Sequence, residues 1–346
     1  MGKYSIDAYY ENYKMIKCRP EELLEPTEGA GINTFKTVDV AFGCEIPQFT
    51  EKTLLRIVVD ADADVLLAEA KLRMMAARCY RDVQVLGVMI DCRTGRAAAR
   101  RLWEAAAEAF APKRFYVPVQ DGEQLDYALK HGIAGGLYVR VGENPYDVCE
   151  AFADQGAQQL YKQMPVLVSF EKETADSARY AAQWHAAAVE GAKAISGWRI
   201  ALRRMTCPSK LSSGGYAPMR FWWTNAGPSY CHEKTQLKLL LEKDGKRISV
   251  ENGDKPAYIH LADRTHNEII RLPEVEPGRY TLLYGLFTQD GEALVLAHEG
   301  RDAEGFYTAG VLEIDDTPRP EHRTIWDHFA PDGYYPLEDP KEPGQS

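Results

Sequence analysis

Hydrophobic and polar residues follow one pattern in the first half of the chain and another in the second half. Before residue 196, short apolar runs alternate with longer segments of helical periodicity, the last of which covers residues 175–194. The apolar runs predict strands at Tyr13–Cys18, Thr37–Phe42, Leu54–Val59, Val83–Ile90, Arg114–Val119, Gly136–Val141 and Met164–Phe170. Because these strands are apolar on both faces and are separated by helices, the pattern is typical of a parallel sheet covered by helices.

Such a sheet either stays open or closes into a barrel. An open sheet that binds a dinucleotide usually carries GxGxxG after its first strand, and this motif does not occur here. The predicted strands, with a further candidate at Ile195–Leu202, favour an eightfold (β/α)8 barrel of the TIM type. Because such barrels usually need about 250 residues, we predict a compact, partly degenerate barrel within residues 1–196. The alternative is an open-sheet cofactor enzyme, which would bind a nucleotide where the strand order reverses.

After residue 196 the predicted strands become short and regularly spaced, with no helices between them. They cover Trp198–Met205, Tyr216–Trp223, Thr235–Glu242, Tyr258–Ala262, Asn267–Leu272, Gly278–Thr288, Glu292–His298 and Phe306–Ile314. Asp, Pro and Gly stand where hairpins need them, at Lys243–Lys246, Glu276–Gly278 and Gln289–Gly291. We therefore predict an antiparallel β-sandwich over residues 197–315, followed by a Pro-rich acidic extension, residues 316–346.

Composition narrows the classes of function. No apolar run approaches the roughly 18 residues of a membrane span, and the net charge of -10 comes without a basic face, which argues against membrane and nucleic-acid partners. The seven cysteines are scattered without a CxxC pair, which predicts free thiols and no zinc site. We expect no cofactor. The N-terminal residues lack the apolar core of a signal peptide, which predicts a cytoplasmic protein, although a secreted chain without its leader would look the same.

Several short motifs resemble bacterial proteins of the DUF4832 group. The second half carries most of them, at Gly197–Arg199, Gly214–Gly215, Trp223–Pro228, Pro277–Tyr280 and Gly305–Gly310. The first half adds Leu24–Gly29, Tyr80–Asp91 and Pro165–Glu171. The resemblance implies a glycoside-hydrolase-like barrel followed by a β-sandwich, with a carbohydrate bound at the mouth of the barrel.

The chain departs from that group at two places. Where relatives carry a Gly-Trp-Gly-Glu-like acid after the fourth strand, this sequence has Asp91–Gly95. The His-rich segment usual after the seventh strand is reduced to the candidate His185. The resemblance therefore leaves two functions open. One is a glycoside hydrolase, and the other is a non-catalytic carbohydrate-binding or scaffold protein with a degenerate barrel.

Acids that follow predicted strands are the candidate catalytic residues, because glycoside hydrolysis needs two carboxyls that face one bond. Side chains at the carboxyl ends of barrel strands converge on one mouth. The acids so placed are Asp60, Asp62, Asp91, Asp121, Glu171 and Glu173. We predict Asp91 and Glu171 as the catalytic pair, with Asp60, Asp121 and Glu173 in substrate binding. The alternative for each is an N-cap of the following helix.

Basic and aromatic residues complete the predicted site. Arg93 and Arg140 have the geometry to hold a substrate carboxylate or sulfate, or else pair with nearby acids. Tyr138 and Trp184 are candidate sugar platforms, and helical spacing favours packing for Trp184. The adjacent Trp222 and Trp223 must face opposite sides of their strand, so one enters the core and the other contacts a domain interface or a carbohydrate. We expect His232, His260 and His266 to be surface or hydrogen-bonded residues and not metal ligands.

Overall fold

The computed structural model describes residues 13–17, 33–60, 64–232, 234–250, 264–289 and 291–323. The chain divides into two compact units. The curled-sheet unit lies between Gly31 and Trp198 and includes Gly227–His232, while the antiparallel unit contains Arg199–Ala226 and the other described segments. The predicted strand Tyr258–Ala262, the motif Leu24–Gly29 and the acid Asp62 lie outside the described residues.

The strands are β1 (Tyr13–Lys17), β2 (Lys36–Ala41), β3 (Thr53–Val59), β4 (Val85–Cys92), β5 (Arg114–Pro118), β6 (Gly136–Val141), β7 (Val166–Phe170), β8 (Ala186–Glu190), β9 (Ile200–Pro208), β10 (Leu211–Ser212), β11 (Tyr216–Asn225), β12 (Thr235–Lys243), β13 (Lys246–Val250), β14 (Arg264–Arg271), β15 (Gly278–Thr288) and β16 (Tyr307–Asp315). The helices are α1 (Val65–Cys79), α2 (Arg96–Phe110), α3 (Gly122–Lys130), α4 (Tyr146–Asp154) and α5 (Ser177–Gln183). Short 3₁₀ helices cover Ala157–Lys162 and Pro320–Arg323.

Parallel strands of the curled-sheet unit follow chain order. The sheet has seven strands in the order β2 to β8, and every neighbouring pair is parallel. Its two edges meet at a single parallel bridge between Thr34 and Val189. There the Val189 amide donates to Asn33 O over 2.8 Å, and the Phe35 amide donates to Val189 O over 3.2 Å. The sheet is therefore curled almost into a barrel, without a full ladder at its seam.

The predicted eightfold strand count is wrong. The eighth candidate, Ile195–Leu202, contributes instead to β9, which pairs antiparallel with β11 and with the first predicted strand, now β1. The predicted helix over residues 175–194 ends at Gln183, because His185 adopts a left-handed backbone with φ of 54°. The strand β8 follows. Its Ala-rich sequence gives little β signal, so it is defined by pairing with β7 and by the bridge from Val189 to Thr34. The parallel sheet covered by helices is confirmed.

Two apolar layers lie on the two faces of the curled sheet. The outer layer packs strands against helices through residues such as Ile57, Val88 and Val139. The inner layer takes one side chain from each successive strand or its start: Phe35, Leu54, Met89, Tyr116, Tyr138, Leu167 and Ala188. Glycines make room for the largest of these, since a Cβ on Gly136 would come within 2.3 Å of the Tyr116 ring. These side chains thus fill the interior of the curled sheet up to the carboxyl ends of its strands, where a cavity remains.

Two sheets form the antiparallel unit. One has the order β1-β9-β11-β14 and the other β10-β16-β15-β12-β13, with only the short β10 to β16 pair parallel within the described residues. They meet through Trp223 and Tyr284, whose ring centroids lie 6.0 Å apart in an edge arrangement. The antiparallel prediction is confirmed in this part. Glu292–His298, predicted as a strand, forms only one bridge, between Phe287 and Ala293.

Candidate functional site

A cavity of about 490 Å³ opens at the carboxyl ends of the parallel strands. Seven charged or amide side chains line it: Arg56, Asp91, Gln120, Asp121, Gln124, Arg140 and Glu171. Met89, Trp103 and Tyr138 supply apolar and aromatic surface. A cavity of this size is large enough for a small-molecule ligand.

Strand alternation explains why these residues meet. Side chains two apart on a strand share a face, and Met89 and Tyr138 belong to the inner layer. Asp91 lies two positions after Met89, and Arg140 lies two positions after Tyr138, so both face inward at the ends of β4 and β6. Because parallel strands end at the same edge, the sheet collects these polar side chains around one opening.

An ion pair joins two of the predicted site residues. Arg140 Nε lies 2.8 Å from Glu171 Oε1, and both side chains are about half exposed. Gln120 Nε2 donates to Arg140 O over 2.6 Å, which fixes the end of β6 against the loop that follows β5. The sequence analysis placed Arg140 either on a substrate anion or in a pair with an acid, and the structure shows the pair.

Arg56 occupies the cavity although the sequence analysis did not select it. Its guanidinium donates through Nε to Asp39 Oδ1 at 2.7 Å and through Nη2 to Asp39 Oδ2 at 2.5 Å. This fork raises the pKa of Arg56, an effect to which the nearby carboxylate of Asp91 adds. A signal was present, since Arg56 is the one charged residue within the apolar run Leu54–Val59.

The N-cap alternative can be decided for each main acid. Asp121 is the N-cap of α3, where its Oδ1 accepts from the Gln124 amide over 3.0 Å, and it also lines the cavity. Asp91 is not a cap, because α2 begins after Gly95 and has no side-chain cap. Glu171 is not a cap either, because Asp176 precedes α5. The Asp91 carboxylate makes no hydrogen bond or ion pair with the described residues, although it lies within electrostatic range of Arg56.

Three predicted site residues do not line this cavity. Asp60 and Arg93 are exposed after β3 and β4, and the Arg93 amide donates to Val59 O. Glu173 is also exposed and accepts from the Lys193 amide over 2.9 Å. Asp60 directly follows β3 as Glu171 directly follows β7, so position relative to the strand end does not by itself decide which side chains reach the opening.

None of the three tryptophans considered in the sequence analysis offers an exposed platform for a sugar ring. Trp184 is 6% exposed and stacks on Tyr180, so its predicted packing role is confirmed. Trp223 lies in the core of the antiparallel unit, and Trp222 is 3% exposed under the guanidinium of Arg203. An exposed carbohydrate contact at Trp222 is therefore wrong.

Glu190 is a further inward-facing acid that the sequence analysis missed, because its segment was predicted as helix. Its Oε1 accepts from the Thr37 amide at 2.6 Å, and its Oε2 accepts from the hydroxyls of Thr37 and Ser169, each at 2.7 Å. These bonds join β2, β7 and β8 where the ladder is incomplete. Glu190 therefore stabilises the seam of the curled sheet.

Other chemistries have little support at this cavity. Burial raises the pKa of the Cys92 thiol to about 12, so that thiol is protonated at neutral pH. In the described residues, no three His, Cys, Asp or Glu side chains are grouped so as to hold a metal ion. None of the described helices is both long and apolar enough to cross a membrane.

Comparisons with known proteins place few constraints on the chain. No protein-family model matches the sequence, and no curated protein sequence matches it, so the resemblance to the DUF4832 group stays a prediction. A Bacteroides uniformis beta-glucuronidase superposes with a TM-score of 0.30 and 10% identity, covering 84% of this chain and 43% of its own. A Listeria innocua beta-glucosidase gives 0.25 and 10%, covering 78% and 46%. A Niemann-Pick type C2 protein from the Japanese carpenter ant gives 0.22 and 5%, covering 31% and 79%.

The chain thus spans less than half the length of the two glycosidases. TM-scores of this size assign neither a fold family nor an activity. The class of protein that the structure itself defines is a two-unit α/β and antiparallel β protein with a polar cavity at the ends of parallel strands.

Proposed function

We propose that the protein binds a carbohydrate in this cavity and hydrolyses a glycosidic bond with Asp91 and Glu171. The main support for this proposal is that the two carboxylates follow different strands, line one cavity and cap no helix. Two carboxyls on opposite sides of a scissile bond are what glycoside hydrolysis requires. The predicted pair is therefore kept, with roles assigned from its surroundings.

The surroundings of the two acids differ. Glu171 pairs with Arg140, which suits a group that acts as a carboxylate, either as nucleophile or as the base that activates water. The Asp91 carboxylate has no such partner among the described residues, so we assign it as the acid that protonates the leaving oxygen, after it takes up a proton as the ligand binds. Arg140, held by Gln120 through its backbone, keeps Glu171 in place.

Two buried donors support carbohydrate binding in particular. Gln124 is 2% exposed and Trp103 is 5% exposed, and both line the cavity. Gln124 Nε2 and Trp103 Nε1 make no hydrogen bond with the described residues. Both nitrogens have almost no accessible surface, so a ligand oxygen would reach them only after a small shift of the lining side chains. Such a contact would relieve the roughly 1–3 kcal/mol that an unpaired buried donor costs. Sugar hydroxyls supply such oxygens beside an apolar ring face.

The test is a panel of aryl glycosides and glycans, with turnover and binding measured together. We expect Asp91→Asn and Glu171→Gln each to lower kcat by at least about 100-fold, while Gln124→Leu weakens binding. The matched controls are Asp60→Asn and Glu173→Gln, which remove acids outside the cavity and should leave turnover unchanged. Unchanged turnover in either cavity variant would show that the catalytic roles are wrongly assigned.

A non-catalytic carbohydrate-binding protein is the second candidate, and the ion pairs favour it. Arg140 already engages Glu171, which is one of the two acids that hydrolysis would use. Binding without turnover on the same panel would establish this candidate. In that case Asp91→Asn and Glu171→Gln would alter affinity alone.

A further inference from the structure

The cavity carries more negative than positive side chains. Its lining includes the carboxylates of Asp91, Asp121 and Glu171 and the guanidiniums of Arg56 and Arg140. The balance matters because charges around a partly enclosed opening add to one local potential, which attracts or repels a ligand before any contact forms.

Protein carboxylates already neutralise both guanidiniums. Arg140 pairs with Glu171 at 2.8 Å, and Arg56 forms a two-bond fork with Asp39. An anionic ligand would have to compete with these pairs. It would also leave Glu171 or Asp39 without its partner, which opposes binding.

The remaining acids keep free acceptor capacity. The carboxylate of Asp91 makes no hydrogen bond or ion pair with the described residues. Asp121 uses Oδ1 to cap α3 through the Gln124 amide. A hydroxyl or ammonium group satisfies such carboxylates, whereas a second carboxylate repels them.

We propose that this cavity selects ligands that are neutral or carry an amino group, and rejects uronic acids and sulfated sugars. This inference rests on the proposed function only in taking the ligand to be a sugar. The charge preference is a property of the cavity itself. It replaces the expectation that Arg93 and Arg140 hold a substrate anion, because Arg93 does not line the cavity and Arg140 is paired.

A thiol reporter measures the charge preference without any sugar. Gln120→Cys places a cysteine on the cavity lining, and the exposed Cys44 of the same molecule is an internal control. Peptide mapping after reaction with a cationic or an anionic methanethiosulfonate gives a rate ratio at each cysteine. At low salt we expect the cation-to-anion ratio to be about tenfold higher at position 120 than at Cys44.

A second reporter guards against disturbance from the loss of Gln120. Gly142→Cys also lies on the lining, and a Cβ there sits 3.8 Å from Glu171 Oε2, an ordinary contact. Adding Asp91→Asn to either reporter should lower the ratio about threefold, since one charge is removed. A ratio at both reporters equal to or below that of Cys44 would overturn the proposal.

Matched sugars then separate the two proposals. Titration with methyl β-glucoside, β-glucosaminide and β-glucuronide varies the charge on one ring, and we expect the first two to bind at least about tenfold tighter than the third. Tightest binding of the glucuronide would overturn the charge preference and leave carbohydrate binding intact. A high thiol ratio with no sugar bound would support the charge preference and refute the proposed function.

Discussion

Side chains alternate between the two faces of a strand in both units, but the inward-facing residues differ in character. In the curled-sheet unit, inward residues at the strand ends are polar and line a cavity of about 490 Å³. In the antiparallel unit, inward residues such as Trp223, Tyr284 and Tyr307 are large, aromatic and fully buried. Parallel strands all end at one edge and so deliver side chains to one place, whereas antiparallel strands end at alternate edges. A site at strand ends therefore follows from strand direction.

The largest expected effect is in the antiparallel core. Trp223 is fully buried and stacks on Phe221 with ring centroids 6.4 Å apart. Trp223→Ala should lower the free energy of unfolding by about 3–5 kcal/mol, as measured by urea denaturation. Val295→Ala, at a residue that is 38% exposed, is the control and should change little. A loss below about 1 kcal/mol for Trp223→Ala would mean that this unit does not depend on its aromatic core.

An intermediate effect is expected at the seam of the curled sheet. Glu190→Ala removes three hydrogen bonds and leaves the donors of Thr37 and Ser169 unpaired. We expect a loss of about 2 kcal/mol in the free energy of unfolding. Glu51→Ala is the matched control, because Glu51 forms only an exposed pair with Lys36 and should cost less than about 1 kcal/mol. Equal losses would show that Glu190 does not stabilise the seam.

The smallest effect concerns the pH dependence of the antiparallel unit. His298 Nδ1 donates to Glu299 O, so in the neutral ring Nε2 accepts from the Tyr284 hydroxyl. Burial lowers the pKa of His298 below its ordinary value. The unfolded chain therefore binds the proton first as the pH falls below about 6.5, and stability decreases by up to about 1.4 kcal/mol per pH unit.

Unfolding measured between pH 7.5 and pH 5 tests this dependence. His298→Gln should flatten the slope relative to the wild type, because the titrating group is gone. Burial also lowers the pKa of His322, which remains in both proteins and contributes equally to both slopes. Identical slopes would contradict the role of His298.

Much of the fold could be predicted, and the failures have identifiable causes. The apolar runs from Leu54 to Phe170 predicted strands close to the observed ones, because strands buried on both faces are apolar throughout. Ala186–Glu190 could not be predicted, since alanine gives little β signal and the strand forms through pairing with β7 and the bridge to Thr34. Tyr13–Lys17 was placed in the wrong sheet for a similar reason, because pairing with β9 joins residues far apart in the chain.

The candidate site also contains some residues that the sequence could predict and others that it could not. Strand-end position was enough to select Asp91, Asp121, Tyr138, Arg140 and Glu171, all of which line the cavity. Strand-end position could not separate these residues from Asp60, Arg93 and Glu173, because the backbone path of each loop determines whether a side chain turns inward. It also passed over Arg56, whose importance depends on Asp39 lying on the neighbouring strand.

The sequence by itself determined which segments are buried, where the parallel pattern gives way to the antiparallel one, and which strand ends carry acids. Burial and turn preference are local properties, so they can be read from neighbouring residues. Only the tertiary structure decided the number of strands in the curled sheet and the pairing of Arg140 with Glu171. It also decided that no described side chain pairs with the Asp91 carboxylate. These depend on contacts between residues distant in the chain, which local patterns do not encode.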